Sequence, residues 1–556
     1  MANSPKHTFG REFRAALLAV LLLSSPVLPR AQQTTTSTIL SAEERDLSAS
    51  VKVETIKDVT AALSSSEMQG RGTMQAGGDR AAEYIAQRFA KLGLKPLGKS
   101  SYMQPITFRE TQFLPETSFK MGEESFTLGN DYVVTPPYSG DKSVSGQLVF
   151  VAYGLISNVP KRDDLAGIDV KGKIVVMLEG PPKSVDKLSW SKAKAQMTII
   201  QSLVYRGAAG LVFVNTGTAD RPYSEMADYL TRRRLELSES EEMPSFLPPF
   251  ITFSNEAAEK LFAGSGVTFA QALELADREG FKPFSLKKSA KITVRLKKAK
   301  GVGNNVIGLL EGSDPTMKAE ALVYTAHYDA YGVDKGNRVY HGAADNALGV
   351  AEMIAAAEAL TQSPARIRRS IIFLAVTGEE YGGFGSSYWI DNPTWKIKQV
   401  AANLNFDGMG TEVYGPVKTL VGYGAEHSSL GALLKEVAAA TSLTVIADPR
   451  PEEKSFYRSD HYFFVKRGVP GLMILGAPEG EISAWIKRMK EWEKTDYHQP
   501  TDIVRPDWNW DGPRTMAALG VVLGFRIANN DQMPSWVPDS PYNRERGTNK
   551  PPPPQQ

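Results

Sequence analysis

The chain has 556 residues, of which 42% are hydrophobic and 23% charged, which is typical of a globular protein and excludes disordered, fibrous and polytopic membrane proteins. Its length predicts about three domain-sized units. With 64 basic and 62 acidic residues, the net charge of +2 is too balanced for a nucleic-acid-binding protein that neutralises phosphates. Because the sequence contains no cysteine, any bound metal must be held by His, Asp or Glu.

The first 31 residues have the pattern of a secretory signal peptide. Three basic residues precede an apolar run over Ala15–Leu23, and a Ser-Ser-Pro breaker follows it. The run is too short to span a bilayer, although a short anchor or a buried helix is the alternative interpretation. We therefore predict cleavage near Ala31 and a secreted or periplasmic protein that does not insert stably into the membrane.

The next hundred residues, 32–131, are predicted to form the N-terminal part of a larger domain. Apolar residues recur at helical spacing over Glu54–Leu63 and Asp79–Leu92, so both stretches are expected to be helices on one face of that domain.

A smaller β-rich unit is predicted from 132 to 286. Short apolar stretches separated by turns indicate strands at 146–154, 173–178 and 210–214. Between strands lies a charged segment, 219–246, in which three arginines are followed by acidic residues; a solvated helix or loop is favoured over a binding patch. We also expect this unit to border the crevice of the following domain, against the alternative of a remote stabilising module.

Residues 287–530 alternate between strand and helix, which predicts an α/β domain with a mixed, largely parallel sheet flanked by helices. The predicted helix is Gly349–Leu360, and the predicted strands are Ala321–Thr325, Ser370–Val376, Val400–Phe406 and Gly471–Leu475. The final residues, 531–556, end in a proline run and are predicted to form a Pro-rich disordered or extended tail.

Acidic and histidine residues follow three of these predicted strands. His327 and Asp329 follow the first, Glu379 and Glu380 the second, and Asp407 the third. The carboxyl ends of strands form the ligand crevice of open α/β sheets, so these side chains are expected to converge. Each pair alone fits a structural or surface role, but burying several acids together is costly unless cations compensate them. The pattern therefore predicts a metal site.

Two loops can complete such a site. Asp345 lies in a loop that enters the helix after the first strand, and His498 lies in a late loop where Pro500 prevents helix continuation. His461, beside Asp460, is a rival second imidazole, and we favour His498.

In chain order, these residues resemble the signature of the M28 family of co-catalytic zinc exopeptidases. The resemblance covers about Lys291–Asn529, and the 132–286 unit resembles a protease-associated domain inserted into the peptidase. It implies the zinc exopeptidase fold and two zinc ions per chain, held by His327, Asp345, Glu380, Asp407 and His498.

The resemblance also implies individual roles. One zinc takes His327 and Asp407, the other takes Glu380 and His498, and the Asp345 carboxylate bridges both. For the remaining two site residues, Asp329 orients a ligand histidine through its ring N–H, and Glu379 is the general base on the water that attacks the peptide.

The function expected from the sequence is therefore an exported di-zinc exopeptidase that hydrolyses peptides with metal-activated water, as an aminopeptidase. A glutaminyl-cyclase-like enzyme with one zinc and a non-catalytic binding protein are the alternatives from other classes. Carboxypeptidase or dipeptidase action stays open because Arg458 could bind a terminal carboxylate. Tyr457 is the candidate donor to the developing oxyanion.

Overall fold

The computed structural model describes residues 39–549, apart from short stretches at 99–100, 137–139, 159–160, 187–188, 191–194, 218–221, 242–243 and 409. The predicted signal peptide lies outside the described residues, as does the proline run that ends the chain. Within the described part of the chain, no helix combines the length and the apolar character that crossing a bilayer requires.

The helices of the described residues are 6 to 19 residues long. In chain order they are α1 (Ala42–Ala49), α2 (Val53–Leu63), α3 (Ala76–Lys91), α4 (Ala195–Tyr205), α5 (Tyr223–Thr231), α6 (Asn255–Phe262), α7 (Phe269–Ala276), α8 (Leu348–Gln362), α9 (Phe384–Asp391), α10 (Leu430–Ala440), α11 (His461–Lys466), α12 (Ile482–Thr495) and α13 (Asp511–Asn529).

The strands fall mainly into two sheets. In chain order they are β1 (Lys95–Pro96), β2 (Met103–Phe113), β3 (Ser118–Met121), β4 (Glu124–Phe126), β5 (Tyr132–Thr135), β6 (Lys142–Phe150), β7 (Ile156–Asn158), β8 (Lys161–Asp163), β9 (Ile174–Leu178), β10 (Gly210–Val214), β11 (Arg234–Leu237), β12 (Phe250–Phe253), β13 (Phe284–Val294), β14 (Leu296–Leu310), β15 (Ala321–His327), β16 (Gly332–Val333), β17 (Val339–Tyr340), β18 (Ser370–Val376), β19 (Val400–Asn405), β20 (Val417–Tyr423), β21 (Thr444–Ile446) and β22 (Gly471–Pro478).

The larger sheet runs in the order β11-β2-β14-β18-β15-β19-β22-β20-β21, and β1 pairs with β14. Strands β18, β15, β19 and β22 are parallel neighbours at its centre, whereas β2, β14 and β20 pair antiparallel on either side. Every residue of β15 and β18 is buried, because helices cover both faces. The predicted mixed α/β fold is thus confirmed, with its parallel pairs at the centre.

Helix α8 covers one face of the central strands of the larger sheet. Its sequence is rich in alanine, and almost all of its residues are buried, so it is apolar around most of its circumference. It packs with α2, α3 and α13 in one core on one face of the larger sheet. Residues of α9 and α11 pack in a second core against the same strands.

The second sheet runs β4-β3-β13-β6-β9-β10-β12-β5 and has its own buried core. Its strands lie between residues 118 and 294, so it begins before and ends after the predicted 132–286 unit. Apart from β11, the chain leaves the larger sheet after β2 and returns to it as β14, and β2 and β14 pair with each other. The unit is therefore inserted between neighbouring strands of the larger sheet; its assignment as a protease-associated domain stays a prediction.

The expectation of a solvated helix or loop at 219–246 fits a helix there and the exposed Glu236 and Glu239, but it is wrong for Arg232 and Arg233. The described part of the segment forms α5 and β11. Strand β11 does not join the second sheet; it pairs with β2 at the edge of the larger sheet. Only 9% of the Arg232 side chain and 8% of the Arg233 side chain are exposed. Tyrosine rings stack with these guanidinium groups, which gives the charges a buried environment that the sequence did not reveal.

The predicted tail also needs correction over its described residues. Trp536 donates a hydrogen bond to the Gly468 carbonyl, Tyr542 is buried in an aromatic cluster, and Arg546 donates to the Val400 carbonyl. Aromatic and arginine side chains therefore hold residues 531–549 against the larger domain, and they precede the proline run on which the prediction rested.

Candidate metal centre

The central strands bring the predicted site residues to one edge of the larger sheet. His327 is the last residue of β15, and Asp407 lies two residues beyond the end of β19, its parallel neighbour. Glu379 and Glu380 follow β18, which pairs with β15 on the other side. Because all three strands are parallel, their carboxyl ends meet, as the sequence predicted.

The loop before α8 adds Asp345 to this edge. The backbone N–H groups of Ala344 and Asp345 donate to the two carboxylate oxygens of Asp502 at 2.9 and 3.0 Å. The Asn346 side chain donates to the Phe406 carbonyl at 2.8 Å. These bonds fix the turn from two sides and aim the Asp345 carboxylate into the site.

Three of the predicted ligands form one group around the His327 ring. Its Nε2 atom lies 3.2 Å from Oδ1 of Asp345 and 3.6 Å from Oδ1 of Asp407. The ligand atoms of this group lie within 4.8 Å of one another, which is compact enough to surround a single ion.

A second group of three forms on the other side of Asp345. Nε2 of His498 lies 3.3 Å from Oδ2 of Asp345 and 3.0 Å from Oε2 of Glu380. The Asp345 carboxylate thus directs one oxygen to each histidine and belongs to both groups.

Glu379 lines the same pocket but belongs to neither group. Its Oε2 atom lies 4.0 Å from Nε2 of His327, and its side chain is 13% exposed. Burial raises the pKa of Glu379 well above its ordinary value; His327 opposes this effect, and the negative charges of Asp460 and Asp407 add to it.

Asp329 lies beside His327 but contacts it differently from the expectation. Nδ1 of His327 is 3.2 Å from the backbone carbonyl of Asp329 and 3.8 Å from its carboxylate. The carboxylate instead accepts a hydrogen bond from the Glu379 backbone N–H at 3.2 Å. Burial raises the pKa of Asp329 to about 6, although His327 opposes the shift.

The two imidazoles share one electrostatic environment. Burial alone would lower the pKa of His327 and His498, but the surrounding carboxylates outweigh it. The pKa of His498 rises to about 9, and that of His327 lies well above its ordinary value. Burial would raise the pKa of Asp345, yet hydrogen bonds with both histidines lower it. The surrounding carboxylates therefore favour positive charge on both imidazoles.

A chain of hydrogen bonds that the sequence analysis did not identify supports Asp407. Ser459 donates to Oδ2 of Asp407 at 2.5 Å and accepts from the Asn405 amide at 2.7 Å. Thr325 donates to the same Asn405 side chain at 2.6 Å. Ser459 immediately precedes Asp460 and His461, which the sequence analysis considered only for a rival ligand. Thr325 and Asn405 lie on adjacent strands and carried no signal of their own.

His498 is held between two tyrosines. The Tyr497 ring stacks on its imidazole with centroids 3.6 Å apart, and the Tyr331 hydroxyl lies 3.3 Å from Nδ1. Nε2 thus faces Asp345 and Glu380. To bind a metal through Nε2, the ring would carry its proton on Nδ1 and donate it to the Tyr331 oxygen.

The structure separates the remaining sequence candidates. His461 is fully buried, lies outside both ligand groups, and burial lowers its pKa to about 4. Tyr457 packs in an aromatic cluster with Phe456 and Tyr462 rather than lining the pocket, so Tyr497 is the tyrosine at the site. Arg458 does line the pocket.

The donor set fits zinc. Nitrogen and carboxylate oxygen ligands in groups of three leave each ion open positions for water and substrate. The carboxylates that raise the pKa of His327 and His498 would also attract a metal cation, which displaces protons from its imidazole ligands when it binds.

Comparison with known proteins agrees with this fold and site. Residues 305–522 match the family model described as peptidase family M28. An aminopeptidase from Aneurinibacillus has a similar structure, with a TM-score of 0.58, 17% identity and coverage of 88% of this chain and 97% of that one. A zinc aminopeptidase from Bacillus subtilis gives a TM-score of 0.52 at 17% identity, covering 87% and 96% of the two chains.

Curated relatives match over a shorter region. Vacuolar membrane proteases of Clavispora lusitaniae and Candida albicans are each 34% identical over 107 residues, or 19% of this chain. The match covers only 9% and 11% of those proteins, so the chain spans about a tenth of their length. The residues that match the M28 model, 305–522, include all five proposed metal ligands.

Proposed function

We propose that this chain is an exported di-zinc exopeptidase that acts as an aminopeptidase on peptides. The observation that carries the proposal is the position of the Asp345 carboxylate, which offers one oxygen toward His327 and the other toward His498. A single shared carboxylate between two three-residue groups is the arrangement expected for two ions that work together rather than for one.

The residues divide between the two ions as follows. His327 and Asp407 would hold one, Glu380 and His498 the other, and Asp345 both. When bound, paired zinc supplies Lewis-acid polarisation of the peptide carbonyl and makes water acidic enough to react near neutral pH.

Glu379 performs the proton transfers in this proposal. It lines the pocket and lies outside both ligand groups, so its carboxylate is available to take a proton from the attacking water and pass it to the leaving amine. Asp329 accepts a hydrogen bond from the Glu379 backbone and thereby positions this residue.

Two considerations favour action at the N-terminus of a peptide. The similar structures from Aneurinibacillus and Bacillus subtilis are both described as aminopeptidases. The acid-rich pocket, which includes Glu379, is also suited to a positively charged α-amino group.

Carboxypeptidase or dipeptidase action is the second candidate, and one observation favours it. Arg458 lines the same pocket, and its side chain is 42% exposed, so its guanidinium could bind a terminal carboxylate.

The test is turnover of matched peptides by the purified full chain. Peptides with a free amine should be hydrolysed whether or not the C-terminus is amidated, and N-acetylation should abolish turnover. If amidation rather than acetylation abolishes turnover, and Arg458→Ala has the same effect, the second candidate is correct. Release of pyroglutamate with one zinc per chain would instead indicate the glutaminyl-cyclase-like alternative.

Export is proposed from the signal-like sequence alone. Expression of the full chain with N-terminal sequencing of the released protein tests it. We expect a new N-terminus near Ala31, whereas an intact Met1 on cytoplasmic protein would contradict export.

A further inference from the structure

The inserted unit reaches the candidate metal centre through one arginine. Arg232 lies between helix α5 and strand β11, and its side chain is 9% exposed. Its guanidinium donates a 2.9 Å hydrogen bond to the backbone carbonyl of His498. The inserted unit therefore contacts the backbone of a proposed ligand, and its position along the crevice stays a prediction.

The same guanidinium lies on the aromatic ring that orients His498. Cζ of Arg232 is 4.0 Å from the ring centroid of Tyr331 and 4.7 Å from that of Tyr340. Tyr331 in turn places its hydroxyl 3.3 Å from Nδ1 of His498. Arg232 thus acts on this histidine from two sides, directly at its backbone and indirectly at its ring.

The backbone of His498 needs such support. Its φ angle is +59°, in the left-handed region that a residue with a side chain adopts only when its surroundings impose it. A charged donor on the carbonyl and a tyrosine on the ring both favour this one conformation. Losing them would let the loop relax and move Nε2 away from Asp345 and Glu380.

The position of Arg232 is itself fixed by the larger sheet. The next residues form β11, in which Arg234 pairs with Thr111 and Leu237 with Phe108 of β2. Leu235 is 3% exposed and shares a buried cluster with Tyr331 and Tyr340. The inserted unit is therefore attached to the catalytic domain at the point where Arg232 reaches His498.

We propose that Arg232 is a positioning residue through which the inserted unit holds His498 in its ligand geometry, so that this unit determines affinity at one of the two metal positions. The inference rests on the proposed function. It predicts an asymmetric effect, because Arg232 contacts the His498 group, whereas the other group is built around His327 on β15.

The test is zinc binding by the full chain, measured by chelator competition on the metal-free protein. Arg232→Ala should weaken one zinc position about 10-fold or more, within the range found for residues that orient a ligand, and should leave the other within about 2-fold. Arg232→Lys should also weaken it, because a compact ammonium cannot both lie flat on Tyr331 and donate to the His498 carbonyl. Arg232→Lys also guards against misfolding of the alanine variant.

Two companion variants sharpen the result. Arg338→Ala is the matched control. Arg232 pairs with Asp228, and Arg338 approaches the same Asp228 and Tyr340, but Arg338 is 56% exposed and pairs mainly with Asp334; the zinc affinity of this variant should be unchanged. Tyr331→Phe keeps the ring but removes the hydroxyl, and its effect should not add fully to that of Arg232→Ala. Substitution of cobalt for zinc provides a second readout, with a shifted visible spectrum in both Arg232 variants.

Four outcomes would overturn the inference. Wild-type zinc affinity at both positions in Arg232→Ala and Arg232→Lys would overturn this inference but not the proposed function. Full recovery of zinc affinity in Arg232→Lys would do the same. Equal weakening of both positions would show a general structural effect. A wild-type protein that binds fewer than two zinc ions would overturn the proposed function as well, and this distinguishes the two failures.

Discussion

Glu379 and Glu380 are neighbours in the chain, yet their carboxylates serve different parts of the site. Oε2 of Glu380 lies 3.0 Å from Nε2 of His498, within a ligand group, whereas Oε2 of Glu379 lies 4.0 Å from Nε2 of His327 and outside both groups. Their neutralisation should therefore damage the protein in different ways.

Glu379→Gln should keep the fold and both zinc ions while turnover falls at least ~10²-fold, the low end expected for loss of a general base. The amide preserves the volume of the side chain but cannot accept the proton of water, so the loss appears in kcat with little change in substrate affinity. Single-turnover kinetics and metal analysis on the same preparation measure both quantities.

Glu380→Gln should instead lose zinc from the His498 group, and its activity should fall with metal content. The amide lacks the charge that draws a cation to this position. If Glu380→Gln kept both ions while Glu379→Gln lost one, the two roles would be exchanged.

Asp502 should support zinc binding although it is not a proposed ligand. Its carboxylate accepts the backbone N–H groups of Ala344 and Asp345, and so it fixes the turn that carries the shared carboxylate. Asp502→Ala leaves both donors unpaired and should lower zinc affinity about 10-fold or more at both positions. Asp507→Ala, an exposed acid in the same loop region, is the control that should bind zinc normally. Loss confined to one position would contradict the shared role of Asp345.

His461→Ala should leave zinc content nearly unchanged, because the structure puts His498 and not His461 into a ligand group. Removal of a fully buried ring does cost stability, so metal analysis must be made at a temperature where the variant is folded. Substantial loss of metal from folded His461→Ala would show that the histidine was wrongly chosen.

Leu235→Ala tests the attachment of the inserted unit. Leu235 is 3% exposed within a cluster of aromatic residues, so its truncation should lower the free energy of unfolding by about 2–5 kcal/mol. Urea denaturation measures the change. Glu239→Ala, at an exposed position nearby, should shift the unfolding free energy by less than about 0.5 kcal/mol; equal effects in the two variants would contradict a buried attachment.

Much of the larger domain was predictable because its signals are local. The strand Ser370–Val376 was predicted with the bounds that the structure shows, and Gly349–Leu360 falls within the observed helix Leu348–Gln362. Uninterrupted apolar runs identify strands buried on both faces, and polar residues after several such strands identify a common edge. Those two rules brought His327, Glu380 and Asp407 together, whereas Asp345 and His498 were added from loops and from the resemblance to the M28 family.

The remaining features depend on contacts between distant parts of the chain. Arg232 lies 266 residues from the carbonyl to which it donates, and in the sequence it is one of three adjacent arginines in a charged segment. Its burial arises because Tyr331 and Tyr340 provide a surface for the guanidinium. Likewise, Trp536 and Tyr542 anchor a segment whose proline-rich end alone suggested a tail.

The zinc content of the purified full chain, compared with that of Asp345→Asn, tests the central claim most directly. Wild-type protein should hold two zinc ions, and Asp345→Asn should weaken both positions because the lost charge belongs to both ligand groups. Peptide hydrolysis should disappear on chelation and return with zinc. A wild-type preparation that holds one ion or none and still hydrolyses peptides at its full rate would contradict the paired-metal account.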